Sequence, residues 1–316
     1  MCRSKKILIW RTEKKKVSIL KGIKRRAKRL KRRLTSQKSR VKKHFKKKSG
    51  RNVNLKHPER FSDKLAWLKL YYRDELMRTC TDKASVREYV EKCGLGEYLN
   101  EQYAVYDSVK DIDWDALPDQ FVMKDTLAGY SDGVLLVYDK STLNIKQTEL
   151  MLEKWLKRSS YRTTGGGLWI HEGRKARIIA EKLLIHDADG DLPDYKFFCF
   201  GGKVFCLYLM RNYTQNHNDG ENAFLDRDFK LLPVSRSDYR RITVQPEKPK
   251  NFEKMIEIAE KLSKPFPHVR VDLYNIDGAI YFGELTFFTN GGYIPFVPDS
   301  FDYEMGKQLV LPKRNH

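Results

Sequence analysis

Apolar and polar positions along this chain alternate between a helical and a strand period. Leu20, Ile23, Ala27, Leu30 and Leu34 recur at spacings of 3, 4, 3 and 4 among Lys and Arg, the pattern of a basic amphipathic helix. Ser62 opens a second helical pattern at Leu65, Leu68 and Tyr72, and Thr81 or Asp82 opens a third at Val86, Tyr89, Val90 and Cys93 that stops at Gly94. Strand-like runs at 103–106, 121–124 and 133–138 precede a helix over 143–156 and a loop at Gly165-Gly166-Gly167. A strand over 177–184 follows, then a hairpin joining 195–200 to 204–210 across Gly201-Gly202, and a helix over 252–262. Hairpins mixed with helices, without regular βαβ alternation, predict an α+β fold.

The run from Arg270 to Thr286 predicts a hairpin that carries carboxylates. Asn275, Asp277 and Gly278 suit a type I turn with a left-handed glycine bulge, a three-residue loop pairing Asn275 with Ala279. Asp272 then faces Phe282 and Arg270 faces Glu284. Arg270, Asp272, Glu284 and Thr286 take one side, and Val271, Leu273, Tyr281, Leu285 and Phe287 take the other. A tight two-residue Asp-Gly turn would put Glu284 on the apolar side, where an unpaired carboxylate costs roughly several kcal/mol, so the bulged loop is the expected register. Two carboxylates on neighbouring strands suit a hard cation such as Mg²⁺, whose shell phosphate oxygens complete. A solvated face with an Arg270–Glu284 pair is the plainer alternative.

Charge divides the chain. Residues 1–50 contain 23 Lys and Arg against the single acid Glu13, leaving 39 of the 62 basic and 40 of the 41 acidic residues to the rest. The body is near neutral, so the electrostatic function belongs to a basic arm over 1–50, amphipathic or disordered, with a large domain over 51–316. Anionic lipid attracts each nearby Lys or Arg by about 1 kcal/mol, which makes an anionic membrane surface the expected partner of the arm. Nucleic acid fits less well, because Trp10 and Phe45 are the arm's only aromatic residues for stacking. Five cysteines with no Cys-x-x-Cys pair read as reduced thiols in the cytoplasm, and no 18-residue apolar stretch spans a membrane. The expected location is cytoplasmic, peripheral at the inner face of the membrane.

Lys124 closes the strand Phe121-Val122-Met123 before Gly129-Tyr130-Ser131-Asp132-Gly133, a small-residue turn whose amides suit nucleotide phosphates. Glu181-Lys182 interrupts an apolar strand, and Asp194-Tyr195-Lys196 with Arg211 adds cations from a hairpin. Asp-x-Asp pairs at 111–113, 187–189 and 226–228 offer a glycosyltransferase alternative, and a catalytically silent nucleotide- or polymer-binding protein is a further one.

The order of these segments resembles the ATP-grasp superfamily, and residues 61–312 resemble its TupA-like family of surface-polysaccharide gene clusters. The likeness rests on Phe61-Ser62-Asp63-Lys64-Leu65-Ala66-Trp67-Leu68-Lys69-Leu70, Asp82-Lys83, Val86-Arg87-Glu88-Tyr89-Val90 and Leu117-Pro118-Asp119-Gln120-Phe121-Val122-Met123-Lys124. It continues through Ile179-Ala180-Glu181-Lys182, Asp194-Tyr195-Lys196-Phe197-Phe198-Cys199-Phe200, Arg270-Val271-Asp272 and Gly283-Glu284-Leu285-Thr286-Phe287.

The resemblance implies two α+β lobes enclosing a nucleotide cleft, with boundaries near 51–120, 121–182 and 183–316. It implies ATP and Mg²⁺ as cofactors. Lys124, Gly129, Ser131, Gly133, Glu181, Lys182, Asp189 and Lys196 would bind nucleotide. Asp272, Glu284 and Asn290 would hold metal, and Arg270, Lys196 and Arg211 would act in catalysis. The implied reaction is carboxylate activation as an acyl phosphate, then attack by an amine, with an anionic polysaccharide or sugar precursor and a small amine or carboxylate as substrates. Thr286 stands where the wider superfamily has Asn, and the loop after Lys124 brings Asp125 and Asp132 toward the expected phosphates.

Overall fold

The computed structural model describes residues 36–129, 133–159, 169–186, 191–212 and 219–316. Seven α-helices lie among them: α1 (Gln37–Ser49), α2 (Phe61–Tyr71), α3 (Glu75–Thr81), α4 (Val86–Lys92), α5 (Ile145–Ser159), α6 (Phe252–Ser263) and α7 (Phe301–Gln308). Four strands, β1 (Gln102–Tyr106), β2 (Phe121–Asp125), β3 (Val134–Val137) and β4 (Ile178–Glu181), form an antiparallel sheet in the order β1-β4-β2-β3. The remaining strands are β5 (Asp194–Phe200), β6 (Lys203–Arg211), β7 (Glu221–Asp226), β8 (Ser235–Arg236), β9 (Arg240–Arg241), β10 (His268–Ile276), β11 (Ala279–Thr286) and β12 (Phe296–Val297). They make a six-stranded sheet in the order β11-β10-β5-β6-β7-β9, and β8 pairs with β12. The expected α+β class is the observed one.

Each sheet has its own core. Phe121, Met123, Ile178 and Ala180 of the small sheet pack with Leu152 and Trp155 of α5, and Val109 and Leu117 join them. On the large sheet, α6 covers one face, where Phe252 meets Phe197 at 6.0 Å. The opposite face is apolar at one end, where Phe61 of α2 lies 4.8 Å from His268 and Phe301 of α7 lies 5.7 Å from Phe224.

This packing corrects the expected boundaries. Helices α2 to α4 share the core of the large sheet, with Leu65, Leu68, Met77 and Val90 buried in it, and β1 belongs to the small sheet. The arm is also shorter than its charge suggests, because α1 is docked on the body. Its Val41 and Phe45 are fully buried, and the Phe45 and His44 rings meet Tyr293 at 5.4 and 5.1 Å. Ser36 caps the start of α1 by accepting from Ser39 N (3.2 Å), and Gly50 ends it in the left-handed region at φ 73°. The repeat Leu20–Leu34 lies outside the described residues. Among the described residues, no helix is long and apolar enough to cross a membrane.

Lys69 of α2 is 1 % exposed, and no acid pairs with it among the described residues. Its Nζ donates to the Gly291 carbonyl and sits 4.6 Å from the Tyr293 ring centroid. Burial pushes its pKa down to about 7. The unfolded chain therefore binds more protons than the folded one, and the stability linked to Lys69 is complete above the ordinary lysine pKa and lost as pH falls through about 7. Lys69→Met should raise Tm at pH 6 and raise it less at pH 9. A gain that is constant with pH, measured by thermal melts, would contradict this.

Candidate active site

The half of the large-sheet face that α2 and α7 leave uncovered is polar. Register sets Asp272 beside Lys196 and Lys196 beside Tyr208, and strand alternation puts Arg270 and Asp194 on that same side. Glu284 joins them from β11, directly opposite Asp272.

The hairpin reaches this arrangement by a different route from the one its sequence suggests. Ile276 pairs with Ala279, so the loop has only two residues, and Asp277 (φ 51°) and Gly278 (φ 101°) occupy the left-handed conformations of a type I′ turn. The bulge lies farther down the strand, where the register shifts between Asp272 and Leu273 and Gly283 is the extra residue. A Cβ at Gly283 would stand 3.0 Å from the Asp272 carbonyl oxygen and 3.3 Å from the Tyr274 ring. The tight turn alone would have sent Glu284 to the apolar side, and the bulge returns it. Asp272 faces Glu284 and not Phe282, Arg270 faces Thr286 and not Glu284, and Tyr281 sits opposite Tyr274 on the polar face.

Five charged groups, Arg270, Asp272, Glu284, Lys196 and Asp194, interlock here. The Arg270 fork donates to both oxygens of Asp272, Nε to Oδ1 at 2.6 Å and Nη2 to Oδ2 at 2.5 Å. Its Nη2 also reaches Glu284 Oε1 (3.1 Å) and Thr286 Oγ1 (3.0 Å), and Nη1 donates to Tyr208 Oη (3.1 Å). Thr286 in turn donates to Glu284 Oε1 (2.7 Å). Lys196 Nζ donates to Asp272 Oδ2 (2.7 Å) and to Asp194. Burial alone would raise the Glu284 pKa, but Lys83, Arg270 and Lys196 with the Thr286 hydrogen bond hold it down at about 2. Asp194 is pushed up to about 6 by burial, against the pull of Lys196 and with Asp272 adding to the rise. Burial disfavours the charged forms of Lys196 and Arg270, yet the surrounding carboxylates raise both pKa values above their ordinary ones.

The small sheet carries a second charged group. Lys124 Nζ donates to Glu181 Oε2 (2.8 Å), and Arg87 of α4 lies 3.4 Å from Glu181 Oε1. Lys83 links the two sheets: its Nζ donates to the Ala128 carbonyl (2.6 Å) and lies 3.4 Å from Glu284 Oε2. Gly133 is needed where the loop after β2 folds back, since a Cβ there would stand 2.4 Å from that of Ala128. Asp125 is fully buried and accepts from Leu127 N (2.9 Å), which turns it into the fold and away from a phosphate position.

Several expected residues stand apart from the cluster. Strand alternation puts Arg211 on the face opposite Tyr208 and Lys196, so it does not converge with them. Asn290 donates from Nδ2 to Tyr293 O (3.2 Å) within its own turn, and no hydrogen bond joins it to Asp272 or Glu284. Lys182 follows β4 with an exposed side chain, and Gly129 is exposed. Ser131, Asp132 and Asp189 lie outside the described residues. Asp113 and Asp226 shape turns, accepting from Asp115 N and Asp228 N. Sequence reasoning assigned no role to Lys83, Arg87, Asp194 or Tyr208. The Asp82-Lys83 step was visible, but only the contact with Glu284 gives it a place.

The model of the family described as TupA-like ATPgrasp matches residues 63–310. The chain belongs to the TupA-like ATP-grasp family. This TupA-like chain is also similar to D-alanine–D-alanine ligase from Bacillus anthracis, at 19 % identity over 66 % of this chain and 57 % of that one, with a TM-score of 0.42. The Helicobacter pylori D-alanine–D-alanine ligase gives 15 %, 79 %, 69 % and 0.47 in the same order, and phosphoribosylamine–glycine ligase from Thermotoga maritima gives 14 %, 76 %, 58 % and 0.41. The chain thus spans little more than half of the first of these ligases. No curated protein matches it. The TupA-like chain has the ATP-grasp fold of its family.

Among the described residues, no three His, Cys, Asp or Glu side chains gather as a preformed metal site. The donor set nevertheless fits Mg²⁺, which is bound through one or two carboxylates with phosphate oxygens and water completing the shell. Asp272 and Glu284, directly opposed on one face, are such a pair.

Proposed function

We propose that this TupA-like protein is an ATP- and Mg²⁺-dependent ligase that joins a carboxylate to an amine on a cell-surface polysaccharide or its precursor. The observation that carries the reading is the compact set Arg270, Lys196, Asp272 and Glu284, with Lys83 linking it to the loop after Lys124. Phosphoryl transfer depends on positioning and charge neutralisation more than on a protein nucleophile, and this set supplies both.

Lys124 and Lys196 would hold the phosphates, and the Glu181 strand would lie beside the base. Arg270, fixed by Tyr208 and Thr286, would steady the transferred group while the substrate carboxylate forms a bond to the γ-phosphorus and ADP leaves. The amine nitrogen would then bond to the acyl carbon as phosphate departs, and the nitrogen's proton would pass to solvent. Bound Mg²⁺ would neutralise phosphate charge from Asp272 and Glu284. The polysaccharide assignment is supported by the family resemblance. A cytoplasmic location is supported by free thiols at Cys80, Cys93, Cys199 and Cys206.

Incubation with ATP, Mg²⁺ and a panel of sugar acids, amino acids and amines should release ADP and phosphate, and hydroxylamine should trap the activated carboxylate as a hydroxamate. Nucleotide binding with no ADP release from any pair would sink the ligase reading.

A further inference from the structure

Docking of α1 leaves its charged side outward. Lys42, Lys43, Lys46 and Lys47 line an open groove of about 640 Å³ together with Ser39 and Asn52. All four lysines are exposed, and none is paired with an acid among the described residues. They fall in two pairs four residues apart, a spacing of about 6 Å along the helix axis. Four ammonium groups in two short rows, none paired with an acid among the described residues, on a body that is otherwise near neutral, select a polyanion.

We propose that this groove binds a linear acidic polysaccharide and tethers it to the body that carries the catalytic cluster. The groove deepens the ligase reading by naming a docking site for its polymer, although the binding itself does not depend on that reading. Three observations choose the occupant. The apolar side of α1, Val41 and Phe45, is fully buried in the body, so the helix has no greasy stripe to insert into a bilayer. Among the described residues, no aromatic side chain lines the groove, which leaves nucleic-acid bases nothing there to stack on. Ser39 and Asn52 add neutral hydrogen-bonding groups among the charges, which suit the hydroxyls of a chain of sugar acids.

The groove lies across α1 from Tyr293, a helix width of about 10 Å from the turn that follows β11. A polymer held there is presented to the cluster at raised effective concentration, whereas a single sugar acid gains nothing.

The test measures binding of fluorescein-labelled polygalacturonate to the full chain by anisotropy at low salt. K42E/K43E/K46E/K47E is compared with K146E/K154E/K175E/K307E, which makes the same charge change at exposed lysines outside the groove. The proposal expects the first variant to bind about tenfold more weakly than the second, a difference of about 1.4 kcal/mol. Equal losses would mean diffuse attraction to a basic chain and would overturn it. So would polyglutamate, RNA or anionic phospholipid vesicles binding as tightly as the polysaccharide with the same dependence on the groove lysines. Should the Glu variant fail to fold, K42S/K43S/K46S/K47S carries the same expectation with a smaller charge change. Calorimetry with Mg·ATP on these proteins reports the ligase reading separately, because loss of nucleotide binding leaves the polymer result standing.

Discussion

Glu284→Gln should reduce Mg²⁺-dependent ATP turnover by about 10²–10³-fold, the cost of removing one electrostatic partner from a reacting site. The fold should survive, because Arg270 keeps its fork on Asp272 and the new amide can still accept from Thr286. The amide oxygen is a far weaker metal donor than a carboxylate, so the loss should fall on the Mg²⁺ dependence. The wild-type carboxyl, held at about 2, also gives the variant a pH signature. A depressed folded pKa contributes stability that is complete above the unfolded value near 4.3 and is lost as pH falls through about 2. The stability gap between wild type and variant should therefore close between about pH 4 and pH 2. Steady-state kinetics at varied Mg²⁺ and melts across that range check both parts, and unchanged turnover would remove Glu284 from the metal assignment.

Asp272→Ala should be worse for the fold than for any single assay of activity. Asp272 is 1 % exposed and accepts from both Arg270 and Lys196. Its removal leaves two buried cations with Asp194 and the partly exposed Glu284 as their remaining carboxylates. Breaking a buried ion pair by deleting one partner costs about 3–5 kcal/mol. Urea unfolding should show that loss. A change below about 1 kcal/mol would mean that the cluster relaxes more freely than its geometry implies.

Much of the fold was legible because local rules and tertiary packing agree. The hairpin over β5 and β6 follows from its glycine pair, and α6 from its apolar spacing. Helix α3 was not legible: Glu75–Thr81 is short, and its buried Met77 and Cys80 give too few turns for a period. The hairpin of β10 and β11 shows a different limit. Which face carried Glu284 was readable, since a buried unpaired carboxylate is costly, but two backbone routes satisfy that condition. The sequence argument chose a longer loop, whereas the chain takes a tight Asp-Gly turn and corrects the parity at Gly283. Arg211 failed for the reverse reason, because position near a strand end says nothing without counting alternation. Lys83 could not be placed at all, as its contact with Glu284 joins segments about two hundred residues apart in the chain, a separation no local period encodes.

Docking of α1 decides where the chain can safely be trimmed. A cut after residue 50, where the charge step invites one, would strip His44 and Phe45 from Tyr293 and bare an apolar footprint beside the turn that follows β11. A cut after residue 35 leaves Ser36 to cap the helix and keeps that footprint covered. For expression and crystallisation, the useful N-terminus is therefore set by two buried side chains, Val41 and Phe45, and lies well inside the segment that composition alone would discard.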